Sequence, residues 1–504
     1  MMPLDIVFYV LFWVNMAAVI LVSISFIPQF LFFIFFFLKR RHWKDSTDYH
    51  KVAIIIAAHN EEEVIGRTVK GVLKHQNYPK DKLKVYVCAH NCKDRTAIEA
   101  EKAGAKVYVL NDPDPNHGRV SYPLRYRRQQ ILKEDKESEF FIRIDADNLL
   151  HPDFVRQRNN SISGGAKIVR GYEAASNLKQ NIWTETCALF YTKDSRRQNT
   201  FRQAVHSTSM TPGPGLTFTR EVAEKRNGWD AMGAAEDAEF CLKRLYDGYK
   251  CYFNTDAIVY EDQPSSFRDT FKRLVRLGHS LNKLFFTDGW KRLVRFFKTG
   301  NPRYLDRLIQ VGFNPISVIC FLWFPLYYIF YAVIRMIQGF AGMPLLSGYF
   351  AKVGISNYHH DNFFIRFYYW DNNTFGSLSQ PRQNQLLGQA AIYDLLIRAV
   401  EVIAVLLLFC IFQSFLAVFL DRRKLGMDFR LKGRWKGILL SPIFTFVYGF
   451  SNVVGVLTKP KWKVAKRNPS QCDIHYPLPE RKKKIKYFSI SEREKRRYQG
   501  KRRS

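Results

Sequence analysis

Four clusters of carboxylate and amide side chains lie in the first half of this sequence: His59, Asn60, Glu61 and Glu62; Asn91 and Asp94; Asp145 and Asp147; and Glu236 with Asp237. Asp145 and Asp147 are the most informative. In an extended segment, residues two apart project to the same side, and two carboxylates there repel each other unless a cation or donor lies between them. Oxygen ligands of this kind suit a hard divalent cation and, through it, a diphosphate. Glu236 and Asp237 open a stretch with helical periodicity, Asp237 to Tyr246, where helix-dipole stabilisation competes with a place in the ligand site as the reason for an acid. Asn60 or Asp94 alone is an ordinary cap or turn former. No GxGxxG follows the first apolar run and no GxxxxGK[ST] occurs, so neither a dinucleotide site nor a P-loop is supported.

The elements that must position these groups are legible around them. KVAIIIAAH, LKVYVCAH, AKVYVL and FFIRI are short apolar runs that end in polar, Asn- or Asp-rich sequence, as strands do. Between the first two, EEEVIGRTVKGVLKH places Val64, Ile65, Thr68, Val69, Val72 and Leu73 on one helical face. This alternation predicts a mostly parallel α/β sheet with right-handed crossovers, whose ligands bind beyond the carboxyl ends of the strands. The polar clusters stand at those ends.

Composition places this sheet beside a membrane. Hydrophobic residues make up 47% of 504, with 42 Phe, yet the formal net charge is +32. That pairing fits a chain whose basic flanks sit against anionic lipid. Ile6 to Leu38 is apolar and longer than the ~20 residues a bilayer requires, and KRRHWK follows it. We read a retained anchor, with residue 44 onward in the cytoplasm by the positive-inside rule. Further spans are expected at Val311 to Ile334, Val402 to Leu420 and Gly437 to Leu457. Three crossings would leave the tail outside, yet from Thr458 onward 17 basic residues face 4 acidic ones, which puts the tail inside. One segment therefore does not cross as drawn. Gly437 to Leu457, with Pro442 and Asn452, is a candidate re-entrant hairpin, and Ile6 to Leu38, broken at Pro28, can hide a second pass; both readings stay open.

The expected organisation is an anchor (1–44), a cytoplasmic α/β domain (45–264), amphipathic interface helices (265–300), a membrane region (301–458) with a polar insert (338–390), and a basic tail (459–504). Phe267, Phe271, Leu274, Gly278 and Leu281 form one helical stripe, and Arg268, Lys272, Arg276, His279 and Lys283 lie off it, as in a helix at a lipid surface. The insert's Tyr and Trp suit glycan stacking and an interfacial belt equally. Its His359, His360 and Asp361 are a poor metal set. The eight scattered cysteines read as free thiols. The tail has no recognisable nucleic-acid module, so anionic lipid rather than nucleic acid is the expected partner.

Five motifs in order, AHNEE, NCKDRT, DADN, GPGLTFT and AED, resemble the signature of membrane-embedded family 2 glycosyltransferases with the α/β GT-A fold, the group of the cellulose, chitin and hyaluronan synthases. The resemblance covers about residues 50 to 300. It implies an inverting, plasma-membrane enzyme that moves a sugar from a UDP-sugar to a membrane-associated or growing polysaccharide acceptor, with Mg²⁺ or Mn²⁺ as cofactor. It assigns the nucleotide to Ala58, Asn60, Glu61, Glu62 and Asp94, the metal to Asp145 and Asp147, the diphosphate to Asp145 and Arg276, and the general base to Asp237. Gly213, Gly215, Glu236 and Leu277 fall on the acceptor side. Two departures matter. Where the family carries QxxRW, this chain has Arg273, Leu274, Val275, Arg276 and Leu277, so Arg276 can fill the Arg role but no aromatic face underlies the acceptor. His90 stands where relatives often have Asp. The resemblance thus leaves open a non-processive enzyme acting on a lipid-linked acceptor, and beyond it a scaffold with a dead transferase domain.

Overall fold

The computed structural model describes residues 10–24, 42–112, 121–195, 199–209, 213–225, 229–231, 235–330, 333, 379–421, 431–458, 472 and 487–488. Most of the polar insert and of the basic tail lies outside the described residues. So does the anchor beyond residue 24. The chain divides into two compact units, residues 1–27 with 315–412 and residues 28–314 with 413–504.

In chain order the elements are α1 (Val10–Ile24), β1 (His42–Trp43), β2 (Val52–Ala58), α2 (Glu62–His75), β3 (Leu83–His90), α3 (Thr96–Lys102), β4 (Lys106–Leu110), α4 (Ser121–Glu134), β5 (Phe140–Asp145), β6 (Leu149–Leu150), α5 (Phe154–Ser163) and β7 (Ile168–Ala175). They continue as α6 (Ile182–Asp194), α7 (Thr200–Ala204), β8 (Leu216–Thr219), α8 (Arg220–Glu224), α9 (Glu236–Tyr246), β9 (Cys251–Glu261), α10 (Phe267–Thr299), α11 (Pro302–Val318), α12 (Gln380–Asp421), α13 (Leu431–Leu457) and β10 (Tyr487–Phe488).

The sheet order is β4-β3-β2-β5-β8-β7-β9-β6. Through the parallel and antiparallel ladders, β2, β3, β4, β5, β7 and β9 all run one way, and only β8 and the short β6 oppose them. The expected open, mostly parallel α/β sheet is present. Strand β2 reads VAIIIAA without alternation because both of its faces are covered. Val52, Ile54 and Ile56 pack with Ile65, Val69 and Val72 of α2 and Phe154 and Val155 of α5. Ala53, Ile55 and Ala57 point the other way, to Ile131 of α4, Val222 of α8 and Phe240 of α9. Each fully buried isoleucine contributes about 2 kcal/mol.

Two findings revise the expected helices. The two amphipathic pieces after residue 265 are one 33-residue helix, α10, capped by Ser266 and closed by Gly300 in the left-handed region. The hairpin considered for Gly437 to Leu457 is instead one continuous 27-residue helix, α13, with Pro442 inside it. Its packing along α6 and α10 offsets the ~3 kcal/mol that an interior proline costs. Among the described residues, Ile403–Leu420 and Arg434–Leu457 are long and apolar enough to cross a membrane. A bent third span arises if Pro302–Val311 and Pro315–Phe330 count as one.

Candidate active site

The strand register brings the sequence-predicted clusters to one edge. Ala57 of β2 pairs with Asp145 of β5, and Ala58 with Ala89 of β3, so the segments following these strands emerge side by side. Ala175 of β7 pairs with Glu261 of β9 in the same direction, which carries the edge onward. Because β8 runs backwards, Gly213 and Gly215 enter it at this edge rather than leave it.

Beyond β2 and β3 lies a network of backbone and short polar side chains. Asn60 adopts the left-handed conformation (φ 54°), which Asn tolerates better than most residues, and its side-chain oxygen accepts from the Lys93 amide at 2.8 Å. Asp94 accepts from the Glu62 amide at 3.2 Å and from Thr96, both amide (3.1 Å) and hydroxyl (2.5 Å). Burial pushes the Asp94 carboxyl up, but these donors outweigh it and hold the group below the usual carboxylate range. The Glu61 amide donates to the Thr96 hydroxyl at 2.8 Å, and the Glu62 carboxylate takes the Arg95 amide at 2.9 Å. Ala58 itself is buried at the strand end. The two loops are thus laced together into a polar rim at the α2 N-terminus.

The centre of the edge is a carboxylate cluster around Arg143. This guanidinium donates to both oxygens of Asp237 at 2.9 and 3.1 Å, to Asp145 at 2.8 Å and to Glu236 at 3.2 Å. Arg143 is almost fully buried. Burial is the strongest influence on Asp237 and lifts it well above the ordinary carboxylate range. Arg143 pulls it down, and Glu236, Asp145 and Glu173 push it further up. Glu236 is raised by burial in the same way, again against Arg143. Burial opposes the charge on Arg143, yet its three acid partners hold its pKa above that of a free arginine.

A second ring of charge surrounds the cluster. Asp147 is buried, with Asn148 donating to it at 3.3 Å. Asn148 also fixes the turn by accepting the Asp145 amide at 2.8 Å. Arg273 of α10 donates to Glu261 at 2.7 Å, and Arg170 to Glu173 at 2.7 Å. Half-buried Arg276 feels the charges of Glu236 and Asp145, and half-buried Leu277 follows it on α10. Gly215 has φ +78°, and a Cβ there would stand 2.9 Å from Phe154. A Cβ on Gly213 would stand 2.3 Å from Glu173 Oε1. Gly215 is demanded by its backbone conformation and the close approach of Phe154, whereas a side chain at Gly213 would require the Glu173 carboxylate to shift.

Three carboxylates crowd one guanidinium here, and burial opposes the charged forms of Glu236 and Asp237, which a cation would favour. Among the described residues no three His, Cys, Asp or Glu side chains converge on a metal position. Asp145, a third exposed, and Asp147 are two oxygen donors of the kind Mg²⁺ uses when substrate phosphates complete its shell. The donor set fits a cation that arrives with a diphosphate.

The structure therefore unites Asp145, Glu236 and Asp237 directly, sets Asp147, Arg276, Gly213 and Gly215 around them, and groups Asn60, Glu61, Glu62 and Asp94 in the neighbouring loop network. Sequence reasoning missed Arg143, Glu173 and Glu261. For Arg143 the signal was present: a charged residue inside FFIRID, a strand otherwise apolar, requires a buried counter-charge.

Residues 50–279 match the family described as "Glycosyltransferase like family 2". The chain is 25% identical over 289 residues to a probable glycosyltransferase, YdaM, of Bacillus subtilis (strain 168), a match covering 54% of this chain and 64% of that protein. It is 25% identical over 265 residues to the beta-monoglucosyldiacylglycerol synthase of Nostoc sp., covering 51% and 50%. Both matches span less than two thirds of the relative's length. Among solved structures, the mannosyltransferase PcManGT from Pyrobaculum calidifontis, in complex with GDP-Man and Mn²⁺, aligns at 16% identity with a TM-score of 0.44, over 75% of this chain and 97% of that one. S. aureus TarS 1-349, in complex with UDP, aligns at 16% identity and TM-score 0.31 over 46% and 65%. The sheet order, the ordered motifs and the family match agree that residues 50–279 match a family 2 glycosyltransferase domain.

Proposed function

We propose that the protein is an inverting glycosyltransferase that moves a sugar from a UDP-sugar to a membrane-associated acceptor. The observation that carries this reading is the Arg143 cluster, which gathers Asp145, Glu236 and Asp237 at the carboxyl edge of a glycosyltransferase-family sheet.

In this reading the loop network of Asn60, Glu61, Glu62 and Asp94, with Ala58 beneath it, receives the nucleotide's base and ribose. Asp145 and Asp147 would hold Mg²⁺ or Mn²⁺, which supplies positive charge against the departing diphosphate. Arg276 offers a second positive group to that diphosphate. Asp237 takes the proton of the acceptor hydroxyl as that oxygen attacks the anomeric carbon, and a raised pKa suits a base that must hold a proton. Attack opposite the leaving group inverts the configuration without a covalent intermediate. Gly213, Gly215 and Glu236 border the acceptor, with Leu277 on the α10 side.

Leu277 favours single-sugar transfer to a lipid-linked acceptor over extension of a long polysaccharide. An aliphatic side chain has no π face on which a growing chain can rest and slide. The relative named as a beta-monoglucosyldiacylglycerol synthase supports the same choice. The basic flanks support residence at a membrane, with the catalytic unit on the cytoplasmic side.

The test is UDP release by the full chain in lipid, across a panel of UDP-sugars with Mg²⁺ or Mn²⁺, followed by sizing of the product. Asp237→Asn is expected to lower turnover by ~10²–10⁴-fold, the usual worth of a positioned base. Full turnover by that variant would remove Asp237 from the mechanism. A long polymer would overturn the single-transfer reading.

A further inference from the structure

Helix α13 is long and apolar enough to span a bilayer, and we infer that it does not. It lies flat, clamping the catalytic unit with one face and entering the leaflet on the catalytic side with the other.

Its contacts run from end to end along the catalytic unit. Near its start, Arg434 pairs with Glu185 of α6 at 3.5 Å, and a Cβ on Gly437 would stand 2.6 Å from the same carboxylate. In its middle, Phe444 and Tyr448 pack on Phe190 of α6 with ring centroids 5.0 and 5.1 Å apart. Towards its end, Asn452 crowds Gly278, and the Gly455 carbonyl bonds the His279 ring at 2.8 Å. Arg434 and Gly455 are about 32 Å apart along a helix rising ~1.5 Å per residue. The hydrocarbon core is ~30 Å thick. A crossing α13 would drag Glu185, Arg273, Arg276 and His279 through that core with it, and these include the charged groups of the catalytic edge.

Charge and chain path agree. Residues 421–436 hold seven Lys or Arg against two Asp, and the tail beyond the helix is strongly basic, so both flanks belong on the inside. Residues 335–401 hold five basic and four acidic residues, as a segment on the opposite side would. Strand β10, beyond α13, pairs with β1, whose Trp43 is packed among Ala166, Val169 and Tyr252 of the catalytic unit. The chain therefore returns to the side it left.

The exposed face of α13 shows what covers it. Trp435, Leu439, Ile443, Phe446, Phe450 and Leu457 are exposed and recur at helical spacing between two basic flanks. The buried face instead carries Gly437, Ser441, Ser451, Asn452 and Gly455. It also carries Ile438, Phe444, Val447 and Val453, of which Phe444 and Val447 pack on the catalytic unit. The polar and small residues of α13 thus lie on the protein side while its exposed side is apolar and aromatic; with cations at both ends, this fits the surface of an anionic bilayer.

Single cysteines at two flanks test this in the full chain: Gly426→Cys and Thr458→Cys, each labelled with a membrane-impermeant thiol reagent in sealed vesicles of both orientations. Lys102→Cys reports the catalytic side, and the parent chain sets the background of its eight native cysteines. Both flanks are expected to label in the orientation in which Lys102→Cys labels, and only there. Labelling of 426 and 458 from opposite sides would overturn the inference, as would failure of either to label from the catalytic side. The readout does not depend on turnover, so it stands or falls apart from the transferase chemistry. Recovery of the protein wholly in the soluble fraction would overturn the lipid-facing placement itself.

Discussion

Arg143 sits in a strand buried on both faces, where an uncompensated charge would cost several kcal/mol. Its three acid partners are the compensation, and they tie the geometry of Asp237 to that of the Asp145–Asp147 segment. As the proposed base, Asp237 works only when ionised, so its raised pKa predicts an acid limb of activity at a pH above the ~4 of an ordinary carboxylate, with turnover lost as pH falls through it. Arg143→Met removes the positive partner that lowers that pKa. The acid limb should then move to higher pH, and turnover at neutral pH should fall by about 10- to 100-fold. Arg143→Lys should recover part of both, and a pH profile of UDP release reads the result. Gly215→Ala tests the edge differently. A side chain at φ +78° that also meets Phe154 should destabilise the domain by about 1–3 kcal/mol, visible as a lowered Tm. Asp145 and Asp147 were legible as a pair because two carboxylates one residue apart at the end of an apolar run have few uses, although β5 ends at Asp145 and Asp147 stands in the turn beyond it rather than in the extended segment. Glu173 and Glu261 were not, since a lone acid late in a strand reads like any other until the register of β7 and β9 sets it at the ligand edge.

At the scale of elements, α13 acts as a brace. It joins α6 to α10, and α10 carries Arg273 and Arg276. Gly278 and Gly455 permit the close approach, since a Cβ on either would stand 2.5–2.7 Å from the opposite helix. Gly278→Leu should therefore lower Tm and, by shifting Arg276, reduce turnover together, as thermal unfolding and UDP release would show. Glu185→Ala leaves buried Arg434 without this acid and should cost about 1–3 kcal/mol. The sheet was largely readable in advance because apolar runs ending in Asn and Asp clusters have few alternatives. The continuity of α13 through Pro442 was not. Proline's local preference argues for a break, and only the neighbouring helices, distant in sequence, supply the packing that overrides it.

For the whole molecule, the surplus of positive charge is a statement about partners rather than fold. A peptide of the basic tail, residues 459–504, should bind anionic vesicles less tightly as salt rises from about 0.1 to 1 M, because the screening length shrinks from ~10 to ~3 Å. Replacing the Lys and Arg of residues 493–503 with Gln, which leaves β10 untouched, should weaken that binding further in a flotation assay. The sequence by itself determined the chemistry and the class of fold: strand-terminal carboxylates, apolar runs and basic flanks are local properties, written within a few residues of one another. Only the tertiary structure decided that Arg143 gathers acids from 93 and 94 positions away and that an apolar helix able to span a bilayer is bound along its length to the catalytic unit. Pairings at such separations depend on how strands register and helices pack, and no short stretch of sequence encodes them.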